Sequence, residues 1–210
     1  MNLSETISIK PSVLYFGTPV VLVSTLNPDK TTNISPISSA WALDNRVILG
    51  LSKYSQAFSN LQRHPELVIN VPDANLWEQI ESIASTTGKN PVPEYKAKLG
   101  YRFEEDKFSL AGLSPLSSEC ILPNRIENCP LQLEANMINY QQFSNVEEDG
   151  QLNACIIETR VIKVHAHKNI IIPNSNNIDT LKWKPLFYIF RHYFTTGNRL
   201  GFTFKDEVLK

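Results

Sequence analysis

Residues 33–41 read Asn-Ile-Ser-Pro-Ile-Ser-Ser-Ala-Trp. Asn33, Ser35, Ser38 and Ser39 lie between two apolar runs, Pro19–Leu26 and Arg46–Ser52, that both read as strands. Small hydroxyls and an amide beside a sheet edge can line a polar groove and hydrogen-bond a planar heterocycle. They can equally cross-bond neighbouring strands. Pro36 cannot donate to a ladder and places this stretch at an edge or a bulge.

A second candidate follows the next strand. Leu51–Leu61 runs off that strand into a short helix, with Ser55 as N-cap and Ala57, Phe58 and Leu61 as its apolar face. The free N–H groups and the positive dipole end of such a helix favour an anion. Lys53 adds a cation there, and Ser55, Gln56 and Asn60 add hydrogen bonds. Taken alone, the segment is also what any capped helix looks like. The two segments flank one strand and can meet in space.

His165 and His167 are two apart on a strand, so both can face one side. A metal site would need further ligands, and no Cys or carboxylate stands at a metal-binding spacing, so no metal is expected. Trp183–Phe194 is densely aromatic, which reads first as core or dimer packing. The remaining reading brings Arg191, His192 or Tyr193 to a ligand at a subunit interface. No Gly-rich nucleotide loop, Walker loop, nucleophile elbow or zinc-helix motif is present.

These residues need a scaffold. Glu66–Val71 is a third strand, and Leu131–Tyr140 and Ala154–Ala166 are two long ones with Glu147–Gly150 in the turn between them. Ile170–Ile172 reads as a short strand. Asn75–Ala84 reads as a helix with an Asn75/Glu78 capping box, and Glu94–Gly100 as one or two helical turns. Ser109–Pro130 looks irregular. Too few helices separate the strands for a parallel α/β fold. A mainly β chain with peripheral helices, an antiparallel barrel or Greek-key sheet, fits better.

At 210 residues, one domain over 1–210 is the expectation. Hydrophobic residues make up 42 % and charged residues 20 %, as in an ordinary globular chain. A net charge of −1 without basic runs gives no support for nucleic-acid binding. No apolar run reaches membrane-spanning length, and the N-terminus lacks signal-peptide character. Three widely spaced cysteines suggest neither disulfides nor zinc, which points to a cytoplasmic location.

In order, Pro19–Thr25 with Asn33–Trp41, Leu49–Trp77, Phe108–Ala135, Arg160–Pro173 and Trp183–Gly201 resemble the flavin reductase-like family of FMN-binding split-barrel proteins. That resemblance implies an antiparallel split β-barrel, a homodimer, and FMN, or FAD, near the dimer interface. It implies that Ser38 and Ser39 face the isoalloxazine ring and that Lys53–Asn60 receives the ribityl phosphate. It places His165 near the pocket. It implies hydride transfer from NADH or NADPH to the flavin, with no catalytic residue named. Electrons would then pass to free flavin for a partner monooxygenase, to a ferric chelate or to another acceptor protein. The alternatives are a flavin-binding electron carrier and a non-enzymatic split-barrel binding module with a decayed site. The motive for the last is Ala57, which stands where many family members have threonine. Losing that hydroxyl would cost about 1–3 kcal/mol of phosphate binding.

Overall fold

The computed structural model describes residues 6–143 and 153–203. In chain order the first elements are β1 (Phe16–Pro19), β2 (Val21–Leu26), β3 (Thr32–Ile37), β4 (Ala40–Leu43), β5 (Arg46–Ser52), α1 (Gln56–Arg63) and β6 (Glu66–Val71). Then come α2 (Trp77–Ala84), β7 (Thr86–Thr87), α3 (Glu94–Lys98), β8 (Arg102–Phe103), α4 (Lys107–Ala111), β9 (Pro115–Leu116) and β10 (Arg125–Ile126). The chain continues through β11 (Leu131–Gln142), β12 (Ala154–Ala166), β13 (Phe187–Ile189) and β14 (His192–Phe194). The turn expected at Glu147–Gly150 lies outside the described residues.

The main sheet has seven strands in the order β3–β2–β6–β11–β12–β5–β4, and every neighbouring pair is antiparallel. Val21 and Val23 come from one end of that order, and Val47, Leu49 and Leu51 from the other. All five belong to one buried cluster with Leu67, Ile69 and Ile157. Ser35 and Pro36 of β3 and Leu51 and Ser52 of β5 line one cavity although four strands stand between β3 and β5 in that order, so the sheet curls round, which is the split β-barrel.

The two edge strands, β3 and β4, are consecutive in the chain and joined only by Ser38 and Ser39. One continuous stretch therefore leaves one edge of the sheet and enters the other. This accounts for the polar residues between two apolar strands: they form the seam. Pro36 sits on the edge strand β3, where its missing N–H does no harm.

The crossing is close. The Gly50 N–H donates to the Ser39 carbonyl at 2.7 Å, and a Cβ on Gly50 would lie 2.7 Å from the Ser39 Cβ. Gly50→Ala should therefore cost about 1–3 kcal/mol by overpacking. A thermal melt of the variant checks it, and an unchanged midpoint would show that the seam can relax.

β2 is buried on both faces, as its unbroken apolar run predicts. Its outer neighbours Val20 and Leu22 pack with Ile80 and Ile83 of α2, Ala111 of α4, Ile126 and Leu186. α2 and α4 thus cover the barrel's outside beside β3.

Some local expectations give way. Asp73, not Asn75, caps the helical stretch: its side chain accepts from the Asn75 N–H, and a 3-10 turn at Ala74–Leu76 precedes α2. No side chain caps α2 itself. Ile170–Ile172 is not a strand but the end of a 3-10 turn followed by a single bridge from Ile171 to Ile178. The stretch read as irregular begins inside α4, which starts at Lys107, and contains the short pair β9–β10. Cys120, Cys129 and Cys155 are all free thiols.

Candidate functional site

Two adjoining cavities lie over the seam. They share Pro36, Ile37, Ala84 and Tyr101 in their walls.

The smaller, about 280 Å³, is built where β3, β5, the start of α1 and the loops carrying α3 and α4 converge. Ser55 is the N-cap of α1, with its Oγ accepting from the Phe58 N–H at 3.1 Å. Ser35 and Ser52 face the same space, as do Lys96 and Lys107. Lys107 is only 4 % exposed. Its ammonium donates to Asn33 Oδ1 at 3.1 Å and to the Ile34 carbonyl at 3.0 Å. An ammonium has three donors, so one is left for a ligand.

Burial, with Lys96 nearby, pushes the Lys107 amine down to about 8, against a small opposing pull from Glu104. Burial likewise lowers Lys96, helped by Lys89. No carboxylate lines this cavity. Two desolvated cations, a helix start and three hydroxyls without a counter-charge make an anion receptor.

The larger cavity, about 590 Å³, is walled by aromatic rings. Tyr15, Tyr188, Tyr193 and Trp77 follow one another with successive ring centroids 5.4, 5.8 and 6.2 Å apart. Ser38 and Arg191 face this space as well. The Tyr193 hydroxyl donates to Glu81 Oε2 at 2.8 Å. Burial and that bond hold its phenol well above the usual range.

The residues singled out from sequence are thus divided. Ser55 lines the cationic cavity and Ser38 the aromatic one. Ser39 lies between β3 and β4, its Oγ 3.0 Å from the Tyr15 hydroxyl, and so fastens the seam to the aromatic wall. Asn33 orients Lys107. With Gln56 it also lines a third cavity of about 290 Å³, next to Gly88. Gln56 Nε2 donates to Asn60 Oδ1 at 2.8 Å. Asn60 is wholly buried and donates to Thr25 and Asn27, so its amide is occupied by the protein. Lys53 lines neither of the two adjoining cavities, and its Nζ lies 5.1 Å from the Tyr54 ring centroid.

His165 is far from this site. Cavity-lining Ser52 pairs with Ala154 at the start of β12, whereas His165 pairs with Gln132 near the strand's other end. There His165 Nε2 lies 2.7 Å from Glu134 Oε1. Among the described residues no group of three or more His, Cys, Asp or Glu comes together to hold a metal.

Sequence reasoning missed Lys96, Lys107, Tyr15 and Tyr101. The signal for Lys107 is visible afterwards. It stands four residues before Ala111 on the buried side of α4, and a lysine on an apolar helix stripe needs a reason. Ala57 is fully buried in the barrel core, so its side chain faces the interior.

The antiparallel split barrel thus has a cationic cavity beside an aromatic one at its seam, surfaces complementary in kind to a planar ring that carries an anion. Residues 13–197 match the flavin reductase-like domain, and the chain belongs to that family. It is 43 % identical over 200 residues to the uncharacterized protein YdfE of Bacillus subtilis (strain 168), covering 95 % of this chain and 94 % of that one. The structure is similar to flavoredoxin of Desulfovibrio vulgaris (Miyazaki F), with TM-score 0.75 at 18 % identity, covering 98 % of this chain and all 100 % of the other. It is also similar to nitrilotriacetate monooxygenase component B from Bacillus cereus, with TM-score 0.74 at 15 % identity, covering 95 % and 100 %. No helix among the described residues is long and apolar enough to cross a membrane.

Proposed function

We propose that this chain is a flavin-dependent oxidoreductase that moves hydride from NADH or NADPH to FMN. The observation that carries the reading is the pairing of the two cavities through Pro36, Ile37, Ala84 and Tyr101. A flavin mononucleotide needs an anion receptor beside a space for its ring, and the cationic and aromatic cavities adjoin.

Lys107, Lys96, Ser35 and Ser55 would hold the phosphate. Ser38, on the seam, would meet the ring's polar edge, and the tyrosine wall would exclude water from its face. Bound flavin supplies the redox chemistry, so the protein's task is position and polarity, and no general acid or base is assigned. FMN is favoured over FAD because the cationic cavity is small, about 280 Å³. The likeness to a monooxygenase component supports delivery of reduced flavin to a partner enzyme.

The test is the visible spectrum of the purified protein with FMN, followed by anaerobic NADH or NADPH. Perturbed flavin bands that bleach with nicotinamide support the reading. Perturbed bands that do not bleach leave an electron carrier, and unperturbed FMN defeats both.

The homodimer belongs to the same proposal. β4, β11 and β12 leave Trp41, Leu43, Ile138, Ile162 and Val164 exposed, an apolar surface suited to a second copy. Trp41→Glu should then convert dimer to monomer in light scattering. A wild-type chain that is already monomeric would remove the idea.

A further inference from the structure

β13 and β14 are joined by two residues, Phe190 and Arg191, with φ of +42° and +73°. A two-residue hairpin turn with both φ values positive matches the strand twist, and asparagine and glycine are its usual occupants. Phenylalanine and arginine are strained there. Both are exposed, so core packing does not demand them. The turn is fastened, since the Phe190 N–H donates to the Tyr15 carbonyl at 2.7 Å. Strain held at an exposed turn beside a cavity points to a ligand.

Arg191 lines the aromatic cavity and makes no hydrogen bond or ion pair among the described residues. The carboxylate in that wall, Glu81, is engaged by Tyr193. A guanidinium without a protein partner therefore stands in the wall of a cavity whose rings meet edge-on or tilted, and its fork fits a carboxylate or a phosphate.

We propose that Arg191 selects the small molecule that exchanges electrons with the flavin, and that it selects an aromatic ring bearing an anionic group. The role assigned to that molecule rests on the flavin reading above. The binding preference does not. The strained turn holds Arg191 in the wall of the cavity of about 590 Å³, so that the flat part of the molecule lies in the space the flavin ring leaves there and Arg191 takes its charge.

The test is a titration of the protein, FMN-saturated, followed by the fluorescence of Trp77 and the other tryptophans. Two pairs of probes differ by one anionic group: benzoate against benzamide, and nicotinamide mononucleotide against nicotinamide riboside. In at least one pair the anion should bind about tenfold tighter or better. Arg191→Gln should abolish that preference and Arg191→Lys should retain part of it. The pair that discriminates identifies the anion as carboxylate or phosphate.

Arg191→Gly should lose the preference while raising the melting temperature, because glycine relieves the turn. A merely structural arginine would not give that combination. Equal affinities within both pairs, or a preference that survives Arg191→Gln, overturns the proposal. So does a tenfold loss of FMN affinity in Arg191→Gln, since the anion would then be the flavin's own. Failure of the wild type to bind FMN sinks the flavin reading alone, because the probe preferences are measurable without it.

Discussion

Lys107→Met should weaken FMN binding by about 10- to 100-fold, the worth of one buried charge-assisted hydrogen bond. The wild-type ammonium is buried against two neutral oxygens, Asn33 Oδ1 and the Ile34 carbonyl, and has no carboxylate partner in the cavity. Folding alone leaves that charge uncompensated, so binding an anion returns what burial removed. The pH dependence follows with opposite signs for affinity and stability. The amine titrates at about 8 in the folded chain against 10.5 for an ordinary lysine. Between those values the unfolded chain holds a proton that the folded one has released, so this group makes the unliganded protein more stable as pH rises through that window. Below 8 the burial cost is fully present. Phosphate affinity runs the other way and falls as pH passes 8, where the ligand's own second ionisation is already complete. FMN titrations and thermal melts from pH 6.5 to 9.5, on wild type and Lys107→Met, check both. Profiles that match in the two proteins would show that Lys107 does not face the anion.

Glu134→Ala should be the most damaging single change to stability, at about 3–5 kcal/mol. Glu134 is wholly buried on β11. It accepts from the Glu119 and Cys120 N–H groups at 2.8 and 2.7 Å, meets His165 Nε2 at 2.7 Å, and has Arg125 Nε at 3.8 Å. One carboxylate thus pins the loop before β10 onto the paired long strands. Alanine would remove the acceptor of two backbone donors and the counter-charge beside Arg125 at once. The melting temperature should fall by about 6–20 °C. Burial pushes the Glu134 carboxyl up, but the two backbone donors and His165 outweigh it and hold it below the usual range. Its stabilisation is therefore complete above the ordinary carboxyl range and is lost as pH falls through the lower folded value. Folded His165→Ala should lose stability yet keep its FMN affinity. A large loss of affinity would return His165 to the binding site.

The strands were legible wherever burial set the pattern. Val21–Leu26 is buried on both faces and reads as an unbroken apolar run. α1 announces itself through Ser55, whose side chain caps it as its position suggests. Pro36 marks an edge because an edge tolerates it. The anion receptor was legible only in part. Ser55 belongs to α1, whose signals are local. Lys107 reaches the same cavity from a distance of 52 positions in sequence, on a five-residue helix too short to show periodicity. Lys53 and Asn60 have the right chemistry and the right neighbourhood, but side-chain direction takes them elsewhere, and no pattern of residue types encodes direction. His165 illustrates the same limit, because strand membership does not say which end of a long strand meets the ligand.

The seam at Ser38–Ser39 also bears on how the molecule comes into being. β3 pairs with β2 and β4 with β5, so this stretch is complete only when both ends of the curled sheet are in place. Those two pairings are local hairpins, but they are brought together only when β5 pairs with β12 about 100 positions later in the chain, and loop-closure entropy makes that distant pairing a late event. Ser38 and the cavity walls would then assemble in the final step of folding, and partly formed chains would have no affinity for ligand. Newly made protein that captures its ligand would have passed a test of its own completeness.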